Sequence, residues 1–177
     1  MKVWFTSDTH FGAERTLNLS KRPFDNVSEM DRKLIHNWNK VVGVHDIVYH
    51  LGDFGDYNYA RYLRGQINLI QGNYERVSER DLKPYEYLFY SIIKDKVHTI
   101  ELEGYTIRMA HEPHYIKEFP IDEFNINLFG HIHRLCMIKK YGINVGSDAH
   151  FFTPISLEEI LFYQNAIFNY YDNDVFN

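Results

Sequence analysis

Apolar residues in this chain recur in short runs that end on glycine or on a polar residue. In "MKVWFTSDTH" an apolar opening turns polar at Ser7, which predicts a first strand feeding a loop. "DIVYHLGD", "INLIQGN" and "INLFGHIH" repeat that pattern. In "VSEMDRKLIHNWNKVVG" the spacing changes to helical. Met30, Leu34, Trp38 and Val41 share a face, Ser28 is placed to cap, and Gly43 is placed to stop the helix. "YARYLRG" reads as helical, as does the stretch from Ser78 to Tyr90. "KVHTIELEGYTIRMAHEP" alternates on both sides of Glu103–Gly104, the pattern of a hairpin. "CMIKKYGINVG" and "AIFNYY" read as further strands. Between them, "PISLEEILF" carries a capping pattern at Ser156 and Glu159 and predicts a short helix. Strands alternate with helices in the first half and dominate the second. That order predicts a layered α/β protein with a mixed sheet, one domain over residues 1–177.

The polar residues at the strand ends are of metal-ligand type. They are Asp8 and His10 in "SDTH", Asp53 in "LGDF", Asn73 in "QGNYE", His111 in "MAHEP", and His131 with His133 in "FGHIH". Each alone has a simple reading as a cap, a turn or a satisfied core histidine. Together they gain weight, because the carboxyl ends of strands in an open α/β sheet gather where ligands bind. Seven oxygen and nitrogen donors with no sulfur suit Mn, Fe or Zn. His131 and His133, two apart, point the same way roughly 6 to 7 Å apart. Two ions about 3.5 to 4 Å apart could each take one of them.

Composition narrows the reading. Hydrophobic residues make up 45% of the 177, with 14 Tyr and 13 Phe, and the formal charge is -5. A nonspecific nucleic-acid binder would be basic, so no strong binding of that kind is expected, and a phosphate-bearing substrate needs a positive centre from elsewhere. The one cysteine, Cys136, excludes an intrachain disulfide and fits a reducing compartment. The opening residues turn polar too early for a signal peptide, and no stretch reaches the ~18 to 20 apolar residues of a membrane span. A cytoplasmic protein is expected.

In order, "D-T-H", "G-D", "G-N-x-E", "H" and "G-H-x-H" resemble the calcineurin-like metallophosphoesterase superfamily. "SDTHFG", "RPF", "EMD" and "WN" further resemble small bacterial and phage phosphoesterases. The resemblance implies an α/β fold, a four-layer α/β/β/α sandwich with two mixed β-sheets and a di-metal site at the sheet edges. By matching position it implies two divalent metal ions, with Mn expected and Fe, Zn or Ni as alternatives. Asp8, His10 and His133 would hold one, Asn73, His111 and His131 the other, and Asp53 would bridge. Two such cations, two aspartates and a bridging hydroxide leave a centre of roughly +1, the positive centre an acidic chain lacks.

The implied chemistry is in-line attack of that hydroxide on phosphorus, without a covalent intermediate. Most of the family places a histidine, the leaving-group acid, directly after the asparagine. This chain has Tyr74 there, followed by Glu75. The departure weakens the case for monoester hydrolysis, so the expected enzyme is a phosphodiesterase acting on a small phosphate ester, a nucleotide among the candidates. Asp53, Asn73 and Tyr74 are the expected catalytic residues, and Arg22, Tyr74 and His114 the expected substrate contacts. His150 is a further candidate for the pocket. The tyrosines of "DYNYARY" offer either a stacking wall for a base or ordinary core. Two rival readings are a phosphomonoesterase, protein phosphatases included, and a non-catalytic scaffold. A scaffold would be free to lose ligands, and all seven stand here.

Overall fold

Strands buried on both faces need cover on both, and the chain supplies it from the other sheet, from helices and from loop segments. The computed structural model describes residues 1–77 and 79–169. In chain order the strands are β1 (Val3–Thr6), β2 (Ile47–His50), β3 (Gln66–Ile70), β4 (Ser91–Ile93), β5 (His98–Leu102), β6 (Tyr105–Ala110), β7 (Asn125–Phe129), β8 (Ile138–Lys139), β9 (Gly142–Asn144) and β10 (Ile155–Ser156). The helices are α1 (Glu14–Leu19), α2 (Val27–Val41), α3 (Asn73–Val77), α4 (Glu79–Leu82) and α5 (Leu157–Asn169).

Both sheets are mixed and five-stranded. The first runs β10-β1-β2-β3-β4 and is parallel from β1 to β4, with β10 antiparallel at its edge. The second runs β5-β6-β7-β9-β8, with β6, β7 and β9 parallel and antiparallel strands at both edges. Parallel neighbours put the ends of β1, β2 and β3 on one rim and those of β6 and β7 on another. Ser7, just past β1, bridges in parallel to Gly146, just past β9, so the two rims meet.

Packing follows the alternation. Phe5 and Ile70 face Ile107, Met109, Ile126, Leu128 and Ile143 in a core shared by both sheets, which α5 joins through Leu157 and Ile160. On the other face of the first sheet, Trp4, Val48, Ile67 and Leu69 pack against Met30, Leu34 and Trp38 of α2. Each such side chain contributes about 1.5–3 kcal/mol by leaving water. Ala110 and Phe129 of the second sheet pack with Ile116, joined by Tyr115, Ile132 and Tyr141.

Several local expectations change. Asn26, not Ser28, caps α2: its side chain accepts from Glu29 N–H (3.0 Å), and Glu29 reaches back to Asp25 N–H (2.8 Å). The helix expected over 78–90 is instead α4 and a 3₁₀ segment, Lys83–Leu88, because Pro84 has no N–H to continue an α-helix; Ser78 lies outside the described residues. "YARYLRG" contributes to a 3₁₀ segment, Tyr57–Tyr62. The strand expected at 166–171 is overturned for 166–169, which extend α5, whose Leu157, Ile160 and Gln164 are buried at helical spacing; the rest lies outside the described residues. The Ser156–Glu159 box is present, with Ser156 N–H on Glu159 (2.8 Å) and Glu159 N–H on Ser156 Oγ (3.3 Å).

Candidate metal centre

At the ends of β1, β2, β6 and β7 the backbone turns sharply, and the candidate ligands sit on those turns. Asp8, His10, Asp53, His131 and His133 all have left-handed backbones, with φ between 49° and 70°. This conformation costs an L-residue on the order of 1–2 kcal/mol, and Asp and His are among the residues that tolerate it best. Such strain gathers at functional sites, where the surroundings fix it.

The turns are held from behind. Glu75, fully buried, accepts the backbone N–H groups of Asp53, Phe54 and Gly72, each at 2.8 Å, and so locks the β2 and β3 loops together. Burial and the neighbouring Asp53 charge push its pKa up against those hydrogen bonds. Gly72 is required there, because a Cβ would stand 2.4 Å from Asp53 Oδ1. Gly130 plays the same part across the sheets: a Cβ would meet Ser7 Oγ at 2.1 Å and Asp8 Oδ2 at 2.5 Å. That close approach lets His131 N–H donate to Asp8 Oδ2 (2.8 Å).

Two donor groups result. The ligand atoms of Asp8, His10 and His133 lie within 4.8 Å of one another, and so do those of Asp53, His111 and His131. Asn73 Oδ1 joins the second group, 2.9 Å from His111 Nε2 and 3.1 Å from His131 Nδ1. The Asp53 carboxylate stands between the groups, with Oδ1 3.4 Å from His111 Nε2 and Oδ2 3.6 Å from His10 Nε2. All seven expected ligands are therefore brought together.

The residues fit divalent cations. Asp8 Oδ1 and His10 Nε2 are buried with no hydrogen-bond partner, an arrangement that is costly unless something binds them. Burial lowers the His10 pKa to about 4 despite Asp8 and Asp53, so its imidazole is a neutral donor. His111 donates Nδ1–H to Leu51 O (2.8 Å), which turns Nε2 into the site. Burial lowers the pKa of His111, yet the hydrogen bond with Asp53 and the Asp8, Asp53 and Glu75 charges outweigh it, raising the value to about 9. A concentration of negative charge strong enough to hold that proton is also one that attracts a cation.

Two residues behind His133 take on roles the sequence did not reveal. Asp148, its side chain 2% exposed, accepts from His133 Nδ1–H at 2.9 Å. Arg22 grips the same carboxylate with Nε (2.8 Å) and a terminal nitrogen (2.7 Å), and donates to the carbonyls of Asp8 (2.6 Å) and Thr9 (2.8 Å). Burial opposes the Asp148 charge, but His133 and Arg22 hold its pKa down to about 2. Arg22 was expected as a loop residue contacting substrate. It is buried instead, its guanidinium committed to the strained first loop and to Asp148. The sequence signal available was the "SD" of "GSDAH", overshadowed by His150. That histidine is buried, its Nε2 2.6 Å from Asn144 O. His114 is exposed and packs on Tyr115, ring centroids 3.9 Å apart. Tyr74 is 45% exposed and meets His10 edge-on at 5.3 Å, while its backbone N–H donates to Asp53 Oδ1 (3.1 Å).

The chain matches the calcineurin-like phosphoesterase superfamily domain over residues 1–160. It belongs to that superfamily. This calcineurin-like chain is 33% identical to an uncharacterised protein of Methanocaldococcus jannaschii, the match covering 90% of this chain and 89% of that one. Among solved structures, a protein of unknown function from Aquifex aeolicus is 27% identical with a TM-score of 0.68, over 90% of this chain and 97% of that one. An archaeal phosphodiesterase shares the fold at 20% identity and a TM-score of 0.50, over 82% of each chain. Superfamily membership makes the chain a metal-binding phosphoesterase type of hydrolase. No helix among the described residues is long and apolar enough to cross a membrane.

Proposed function

We propose that the protein is a two-cation phosphodiesterase acting on a small phosphodiester of nucleotide type. The observation that carries this reading is the Asp53 carboxylate, which turns one oxygen toward each donor group. Asp8, His10 and His133 would hold one cation, Asn73, His111 and His131 the other, with Asp53 shared between them. The oxygen- and nitrogen-only donor set favours manganese, with Fe, Zn or Ni as alternatives. When bound, such ions neutralise phosphoryl oxygens and make a coordinated water more acidic.

The chain's own residues do the positioning. His131 N–H and Gly130 fix Asp8, Glu75 fixes the Asp53 loop, and Leu51 and Asp148 set the orientations of His111 and His133. In the hydrolysis a water oxygen would bond to phosphorus as the ester P–O bond breaks, the water giving up one proton and the departing alkoxide taking one up. At the histidine position of the family stands Tyr74, and a phenol is a weaker proton donor than an imidazolium. A weak acid there favours esters whose leaving group needs little protonation. Cys136 is a free thiol, in keeping with a cytoplasmic enzyme.

The test is metal analysis joined to parallel assays on an aryl phosphodiester and an aryl phosphomonoester. Two Mn ions per chain, turnover abolished by chelator and restored by Mn, and preference for the diester are expected. Asp53→Asn should lose metal and activity together. Fewer than two ions at saturation, or full activity in Asp53→Asn, would overturn the reading.

A further inference from the structure

A cavity of about 390 Å³ opens beside the candidate metal centre, its lining including Phe11, Asp56, Tyr57, Tyr74, Asp81 and Tyr85. It lies within the ~300–1,000 Å³ range of small-molecule sites. Tyr74 links the two: it lines the cavity, and its ring lies nearly perpendicular to that of His10 with centroids 5.3 Å apart. Tyr57 and Tyr85, 6.0 Å apart, make the aromatic wall, and Phe54 and Phe89 back Tyr57. With Asp56 and Asp81 the buried Glu75 also lines the space, Asp56 Oδ1 accepting from Asn58 N–H (2.9 Å) and Nδ2 (3.0 Å), and among the described side chains no lysine, arginine or histidine lines it.

We infer that this cavity is the subsite for the base of a nucleoside esterified to the reacting phosphate, and that it selects bases carrying an exocyclic amino group. The inference rests on the phosphodiesterase reading for the position of the phosphate. Charge decides the class of ligand. The carboxylates among the described lining side chains disfavour a second phosphate. They attract amino N–H donors, which adenine and cytosine present and uracil does not. The tyrosine faces supply stacking, and they do so for any base. Selectivity between bases therefore falls to Asp56 and Asp81.

The experiment has two arms. In the first, adenosine and uridine are titrated by calorimetry into the metal-free protein. Adenosine is expected to bind at least about fivefold more tightly, and Tyr85→Ala to weaken adenosine by about fivefold or more, the effect of losing one stacking ring. In the second, p-nitrophenyl diesters of adenosine 5′-phosphate, uridine 5′-phosphate and methyl phosphate are compared with Mn present. The expected order of kcat/KM is adenosine, uridine, methyl. Asp81→Ala should narrow the adenosine-to-uridine ratio, and Tyr85→Ala should lower the adenosine ester far more than the methyl ester. Adenosine binding without diester turnover would sink the phosphodiesterase reading and leave the subsite standing. Turnover with equal rates on all three esters, and no adenosine binding, would sink the subsite alone.

Discussion

The strained first loop and the His133 ring are braced by buried side chains behind them. Arg22 donates to the carbonyls inside the first loop and holds Asp148, and Asp148 holds His133. Outer hydrogen-bond partners of this kind are worth about 10- to 100-fold in metal affinity. Asp148→Asn keeps the shape but gives up the charge that pairs with Arg22 and His133. It should weaken Mn binding by that factor, read by calorimetry, while the fold persists by circular dichroism. Unchanged affinity would show that His133 is held well enough by Ser20, 3.0 Å from its Nδ1. Tyr74 supports a second test. If its ring rather than its phenol matters, Tyr74→Phe should be nearly silent on an activated aryl diester. Tyr74→His should raise activity on an alkyl monoester, general acid help being worth about 10² to 10⁴ in rate. A large loss in Tyr74→Phe on that diester would make the phenol the acid.

At the scale of elements, the turn between α2 and β2 is fastened by one carboxylate. Asp46 accepts from the backbone N–H of Lys2 (2.7 Å) and of Gly43 (2.9 Å) and from Trp4 Nε1 (3.0 Å), joining the start of β1 to the end of α2. The Lys2 hydrogen bond, aided by those from Gly43 and Trp4, lowers its pKa to about 2. A depressed carboxylate stabilises the fold above its unfolded value of ~3.9 and loses that effect as pH falls toward the folded value. Asp46→Ala should therefore cost about 1 kcal/mol at neutral pH, discounted for solvent exposure, in urea melts. The gap to wild type should close between about pH 4 and pH 2. Sequence periodicity predicted β1, β2, β3, β6 and β7 because they are buried and end in residues that stop a strand. It missed β4, β10 and α1, which are short and defined by partners far along the chain. The seven donors were legible because each follows its strand directly. Asp148 was not, since its meaning lies in Arg22, 126 residues away in sequence.

For the molecule as a whole, the site is a concentration of unfavourable terms in a chain already at -5. Asp8, Asp53 and Glu75 are buried around it, Asp8 Oδ1 and His10 Nε2 lack partners, and five candidate ligands hold strained backbones. The two sheets contribute to it jointly, Asp8, His10, Asp53 and Asn73 from the first rim and His111, His131 and His133 from the second. A cation bound there offsets the repulsion and ties one rim to the other, a tie the unfolded chain cannot offer. Mass action then sets the size of the effect: about 2.7 kcal/mol for each site at a metal concentration 100 times its Kd. The melting temperature should rise steadily with added Mn and fall back with chelator. Asp53→Asn removes charge from both groups and should flatten that rise, even if the metal-free variant is itself more stable than wild type through lost repulsion. His114→Ala, on the exposed turn beside Tyr115, should keep the full rise. A melting temperature indifferent to Mn in the wild-type protein would mean that the buried carboxylates are relieved by protons rather than by metal, and the two-cation reading would fail with it.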